Sequence, residues 1–164
     1  MDPGYLKIKI DIKSEHDHFL KKYDFKRKEL KRDEIKKIFD SFKDFFKTDG
    51  HFKFKENEHS VTAEYKDHTV VLDMDIYNNI DSADFKLNGT ITTFEGDNFE
   101  FTAEGIQSND MALPPTDIDE QERMVYDTKF YKEFLEDEVI YTFQYQVTGR
   151  QAVYLSMNEL LAAL

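Results

Sequence analysis

His16-Asp17-His18 is the first place in this chain where residue types and spacing suggest chemistry, because two imidazoles one residue apart on a strand can share a metal ion. The surrounding pattern predicts a helix there, and on a helix positions i and i+2 point in different directions. His51, His59 and His68 fall near predicted turns, and none stands at the i, i+4 spacing of a zinc-binding helix. No metal centre is expected from them. Asp73 and Asp75 alternate with Met74 and Ile76, which predicts two carboxylates on one face of a strand, as a hydrolase or a divalent-cation site would use. A calcium loop is excluded, since the sixth position from Asp73 is Asn78 and not Gly, and the twelfth is Asp84 and not Glu. A solvated strand face is the simpler reading. Glu64-Tyr65-Lys66 has the acid-x-Lys spacing of a nuclease site, but the same spacing recurs at Asp11-Lys13, Asp24-Lys26, Glu29-Lys31, Glu34-Lys36 and Asp84-Lys86, as a chain rich in both residue types must show. The six glycines are isolated, so there is no phosphate-cradling loop, and no G-x-S-x-G elbow occurs. Absence of cysteine removes thiol nucleophiles, disulfides and thiolate zinc sites. These observations imply no cofactor and no enzyme.

Charge says more. The 164 residues carry a net charge of −12, and the total conceals a contrast. Residues 1–55 hold 16 Lys/Arg against 11 Asp/Glu, a net of +5, and residues 56–164 hold 6 against 23, a net of −17. A field of that sign attracts cationic surfaces and repels nucleic-acid phosphate. The densest acidic stretch runs from Asp117 through Asp119, Glu120, Glu122, Asp127, Glu133, Glu136 and Asp137 to Glu138, opposed only by Arg123, Lys129 and Lys132. Tyr126 and Tyr131 interleave with it, aromatics of the type that anchor protein interfaces. Further acids follow one another at Asp73, Asp75, Asp81, Asp84, Glu95, Asp97, Glu100 and Glu104. The basic segment 21–37 is interrupted by Asp24, Glu29, Asp33 and Glu34 and reads as a solvated helical surface.

The elements that must position these groups follow from hydrophobic period. Leu6, Ile8, Ile10 and Ile12 alternate with Lys7, Lys9, Asp11 and Lys13, which predicts a strand with one buried face. Ser14 with Asp17 predicts the start of a first helix, and Lys26-Arg27-Lys28 with Lys31-Arg32 a basic connection or exposed turn. Ile35, Ile38, Phe39, Phe42, Phe45 and Phe46 predict a second helix, capped by Asp33 and ended by Thr48-Asp49-Gly50. From residue 51 the period becomes two: Phe52 and Phe54, then Val61, Ala63 and Tyr65, then Val70, Leu72, Met74 and Ile76, then Phe99, Phe101 and Ala103 mark single faces of short strands separated by polar turns. Asn88-Gly89 predicts either a tight hairpin or a bulge inside a longer strand.

The whole is expected to be one α+β domain over 1–164, an antiparallel β-sheet meander with two N-terminal helices and one acidic helix from the C-terminal half packed on it. Its parts are a strand and helical part over 1–50, the meander over 51–105, a loop over 106–116, an acidic helical region over 117–138, a hairpin over 139–155 and a short helix over 156–164 opened by Ser156 and Glu159. No secretory leader and no apolar run long enough to span a bilayer is present in this sequence, so a soluble cytoplasmic protein is expected. The expected function is non-enzymatic. An acidic domain binds a basic protein, such as a nuclease or another nucleic-acid-binding protein, through Asp117, Asp119, Glu120, Glu122, Tyr126, Tyr131, Glu133, Glu136 and Asp137, and inhibits it by occlusion. Immunity proteins and nucleic-acid mimics work in this way; the likeness is one of charge, not of sequence. The alternative is a β-cup or barrel whose aromatics surround a small apolar ligand.

Overall fold

The computed structural model describes residues 1–108 and 114–164, so the middle of the expected 106–116 loop, residues 109–113, lies outside the described residues. The elements in chain order are α1 (Pro3–Lys47), β1 (Lys53–Glu56), β2 (Ser60–Tyr65), β3 (His68–Asp73), α2 (Ile76–Asp81), β4 (Lys86–Thr92), β5 (Asn98–Gln107), α3 (Glu120–Leu135), β6 (Tyr141–Val147), β7 (Val153–Tyr154) and α4 (Met157–Ala163). The protein is α+β, with a seven-stranded antiparallel meander in the order β1-β2-β3-β4-β5-β6-β7. The chain divides into two compact units, Met1–Arg27 with Gln107–Tyr141, and Lys28–Ile106 with Thr142–Leu164. No described helix is long and apolar enough to cross a membrane.

Two expectations about the first 50 residues are corrected. Residues 6–12 are not a strand, and the two expected helices are one helix of 45 residues. Asp2 starts it: the Gly4 N–H donates to Asp2 Oδ1 at 3.0 Å, and Pro3 follows with its ring already set to a helical φ. No Gly or Pro then occurs between Tyr5 and Lys47, while Lys7–Asp11 and Lys13–Asp17 add ion pairs at i, i+4. The connection expected around residues 26–32 is rich in good helix formers and continues the helix, with Arg27 and Lys31 buried. A strand also needs neighbours to satisfy its backbone, which a helix does internally. The helix divides the alternating apolar residues between opposite sides, leaving Ile8 57% and Ile10 54% exposed.

In the second unit the later part of α1 meets the sheet. Ile38, Phe39 and Phe42 join Val61, Ala63, Leu72, Ile91, Phe101 and Val147 in one core, closed by Met157, Leu160 and Leu161 of α4. Ser156 caps α4 by accepting from the Glu159 N–H at 3.2 Å, and Glu159 Oε2 accepts from the Leu155 N–H at 3.0 Å. Lys31 reaches from α1 to the α2–β4 connection, where its ammonium donates to the carbonyls of Ser82 at 3.2 Å and Asp84 at 3.1 Å. Asn88-Gly89 is neither a turn nor a bulge. β4 pairs with β5 residue for residue from Lys86↔Glu104 to Thr92↔Asn98, with Gly89 opposite Phe101.

Candidate functional site

In the first unit α3 opens at Asp119, whose carboxylate accepts from the Glu122 N–H at 2.8 Å. Glu120 and Glu122 lie in the first turn, where the helix dipole favours negative charge. The other end is closed by a cation from α1: Lys26 Nζ donates to the Phe134 carbonyl at 2.8 Å and pairs with Asp137, which takes a left-handed φ of 60° just past the helix. Of the residues expected to meet a partner, Asp119 and Asp137 therefore do structural work at the two ends of α3. Tyr131 is half-buried, stacked on Tyr23 with centroids 4.7 Å apart and tilted against His16 at 5.7 Å. Burial raises the Tyr131 hydroxyl pKa, with Asp127 and Asp24 adding to the effect, and burial raises that of Tyr23 more strongly. Tyr126 instead is 43% exposed. It shares a helical stripe with Glu122, Lys129 and Glu133, so a cation stands within that row. Asp117 and Glu136 are exposed outside the helix proper.

Folding also redistributes charge. The contrast of +5 over residues 1–55 and −17 over residues 56–164 becomes 10 Lys/Arg against 15 Asp/Glu in the first unit and 12 against 19 in the second, nets of −5 and −7. Lysines of α1 are shared out among later acids, Lys26 to Asp137, Lys31 to Asp84 and Lys43 to Glu56, while Lys132 of α3 pairs with Glu15.

The face of the sheet opposite the core carries both signs, with Lys53, Lys55 and Lys86 set against Glu64 and Glu104, and gathers acids alone around one groove. Antiparallel register places Asp73 beside Thr90 and Thr90 beside Glu100, so the two acids stand two strands and about 10 Å apart. Asp75 does not extend β3 as expected. It is the N-cap of α2, accepting from the Asn78 N–H at 3.2 Å and the Asn78 side-chain amide at 2.6 Å. It still lines the same groove, of about 610 Å³, with Asp73, Glu100, Asn88, Thr90 and Thr148. Two ladders hold the polar residues here: Thr102 Oγ1 donates to Asn88 Oδ1 at 2.9 Å, and Thr92 Oγ1 to Asn98 Oδ1 at 2.7 Å. No Lys, Arg or His is among the described residues that line the groove. Asn88, Thr90 and Thr148 are not among the site residues expected from the sequence; the alternation of Asn88, Thr90 and Thr92 with Leu87 and Ile91 is the signal that places the first two on this face.

The histidine pair is separated, with His16 Nδ1 3.2 Å from Asp17 Oδ1 and His18 edge-on to Phe19. Among the described residues no group of three or more His, Asp or Glu is arranged to hold a metal ion. Comparison of the chain with protein-family models, with curated proteins and with solved structures finds no match.

Proposed function

We propose that the protein is a non-enzymatic acidic binding protein that inhibits a basic, nucleic-acid-handling partner by covering the surface the partner uses for its substrate. The observation that carries this reading is the sheet-face groove in which Asp73, Asp75 and Glu100 stand among amides and hydroxyls with no cation in the lining. Carboxylates held by strand register and by a helix cap are pre-positioned, so pairing with guanidinium or ammonium groups costs little ordering entropy. Both units are net negative, which draws a basic partner in from a distance and raises the association rate. The exposed groups around α3, namely Glu120, Glu122, Tyr126 and Glu136, offer a second contact area. A cytoplasmic setting fits a chain that uses no disulfide.

The test compares two charge reversals, Asp73→Lys with Glu100→Lys on the sheet and Glu133→Lys with Glu136→Lys on and just after α3, in capture from a host lysate. The reading expects retention of a basic nucleic-acid-binding protein at low salt, its release near molar salt, loss of its activity on nucleic acid when the wild type is added, and loss of all three in the sheet variant. If only the α3 variant loses the partner, the groove is the wrong surface. Retention of no basic protein, or of one whose activity is unaffected, overturns the proposal.

A further inference from the structure

We propose that a recess at one end of the second unit's core binds a fully methylated ammonium group. Four phenyl rings, Phe45, Phe46, Phe94 and Phe99, line a space of about 330 Å³ together with aliphatic side chains, among them Leu161 and Leu164, and with the exposed acids Glu95 and Asp97. Ring faces carry the negative part of the aromatic quadrupole, so rings from several directions attract a cation, and two carboxylates at the mouth add to that field. Methylation decides which cation fits. A lysine ammonium has three N–H donors, and beyond the carboxylates and Thr93 at the mouth the rings supply no acceptor for them, whereas a quaternary ammonium has no donor to leave unsatisfied and presents methyl groups to the rings.

The rim is built, not loose. Thr93 N–H donates to the Asp97 carbonyl at 2.9 Å, Gly96 N–H to the Thr93 carbonyl at 3.0 Å, and Asp97 N–H to Thr93 Oγ1 at 3.2 Å, with Gly96 at φ +91°. This turn between β4 and β5 holds Phe94 61% exposed, an aromatic kept at the opening instead of in the core, with His68 edge-on to it at 5.7 Å. Phe99 also carries the Arg150 guanidinium 5.2 Å from its centroid, a cation–π contact made by a residue outside the lining of the recess. The site uses none of the acids of the sheet-face groove and stands or falls apart from it.

Such a group can come from a small molecule or from a trimethylated lysine on a protein. Titrations of the full chain with choline, with its neutral isostere 3,3-dimethyl-1-butanol, and with a short peptide carrying trimethyllysine or unmodified lysine separate the cases. Choline is expected to bind on the order of tenfold more tightly than the isostere. Phe94→Ala, and separately Glu95→Gln with Asp97→Asn, are each expected to weaken it about threefold or more while the circular dichroism spectrum is unchanged; all three positions are exposed. A methylated peptide that outbinds both choline and its unmodified form points to the protein source, and choline as the better ligand points to the small molecule. Equal binding of choline and the isostere, no saturable binding of either cation, or affinity indifferent to these variants overturns the proposal.

Discussion

Gly89 on β4 lies directly opposite Phe101 on β5, so close that a Cβ at position 89 would stand 2.6 Å from Phe101 Cζ and 3.0 Å from Met74 Cγ. The ring is buried, and a side chain at 89 would have to displace it or the backbone. Gly89→Ala is expected to cost about 1–3 kcal/mol, read as a lower urea midpoint with unchanged slope. Phe101→Leu should recover part of that loss in the Gly89→Ala background although it destabilises the wild type. A neutral Gly89→Ala would show that β4 and β5 are not in this register.

The Asp84 carboxylate gives the second unit an acid-sensitive contact. Burial works against its charge, but the Ser82 hydroxyl at 2.7 Å, the Lys86 N–H at 3.0 Å and the Lys31 ammonium at 3.6 Å outweigh that, and its pKa falls below 3.8. A depressed folded pKa contributes stability that is present above the unfolded value and lost as pH falls through the folded one. Asp84→Asn should therefore lower the urea midpoint near neutral pH and differ less from wild type as pH drops below 3.8. Lys43 supplies the opposite arm: the hydrogen bond to Glu56 raises its pKa from 10.5, so its contribution is present below 10.5 and is lost as pH rises through the folded value. A wild-type-to-Asp84→Asn difference that does not change with pH removes this assignment.

Lys26 ties the end of α3 to α1. Lys26→Met keeps most of the side-chain volume and removes the donor to the Phe134 carbonyl together with the charge beside Asp137. The cost is expected at about 0.5–2 kcal/mol. It should be seen first as faster amide exchange in the last turn of α3, with the amides of β4 and β5 unaffected.

The exposed isoleucines of α1 separate the helix from the strand that their spacing suggests. Ile8→Lys and Ile10→Lys are expected to change stability by less than about 0.5 kcal/mol, as surface substitutions do. Ile38→Lys, at a fully buried position of the same helix, should prevent folding. If Ile8→Lys proved severely destabilising, residues 6–12 would have a buried face that the helix does not give them.

Legibility differed by range. The turn at Gly50, the cap Ser156, the strands around Leu72, Phe101 and Tyr145, and the core stripe from Ile35 to Phe46 could all be read in the sequence, because each rests on contacts among residues a few positions apart. Asn88-Gly89 could not: its turn chemistry is real, but the glycine is needed to admit a ring 12 positions away. Asp75 was legible as a carboxylate and not as a cap, since its role depends on where β3 stops.

By itself, then, the sequence determined the class of the fold, the periods of its elements, the absence of thiol chemistry and the sign of the total charge, all properties set by composition and near neighbours. Only the tertiary structure decided that residues 6–12 continue a helix, that the lysines of α1 are divided among distant acids, and which carboxylates and which phenyl rings come to face one another. Those outcomes depend on pairings across tens of residues, where the local preference of any single residue is worth a few tenths of a kcal/mol and register and burial outweigh it.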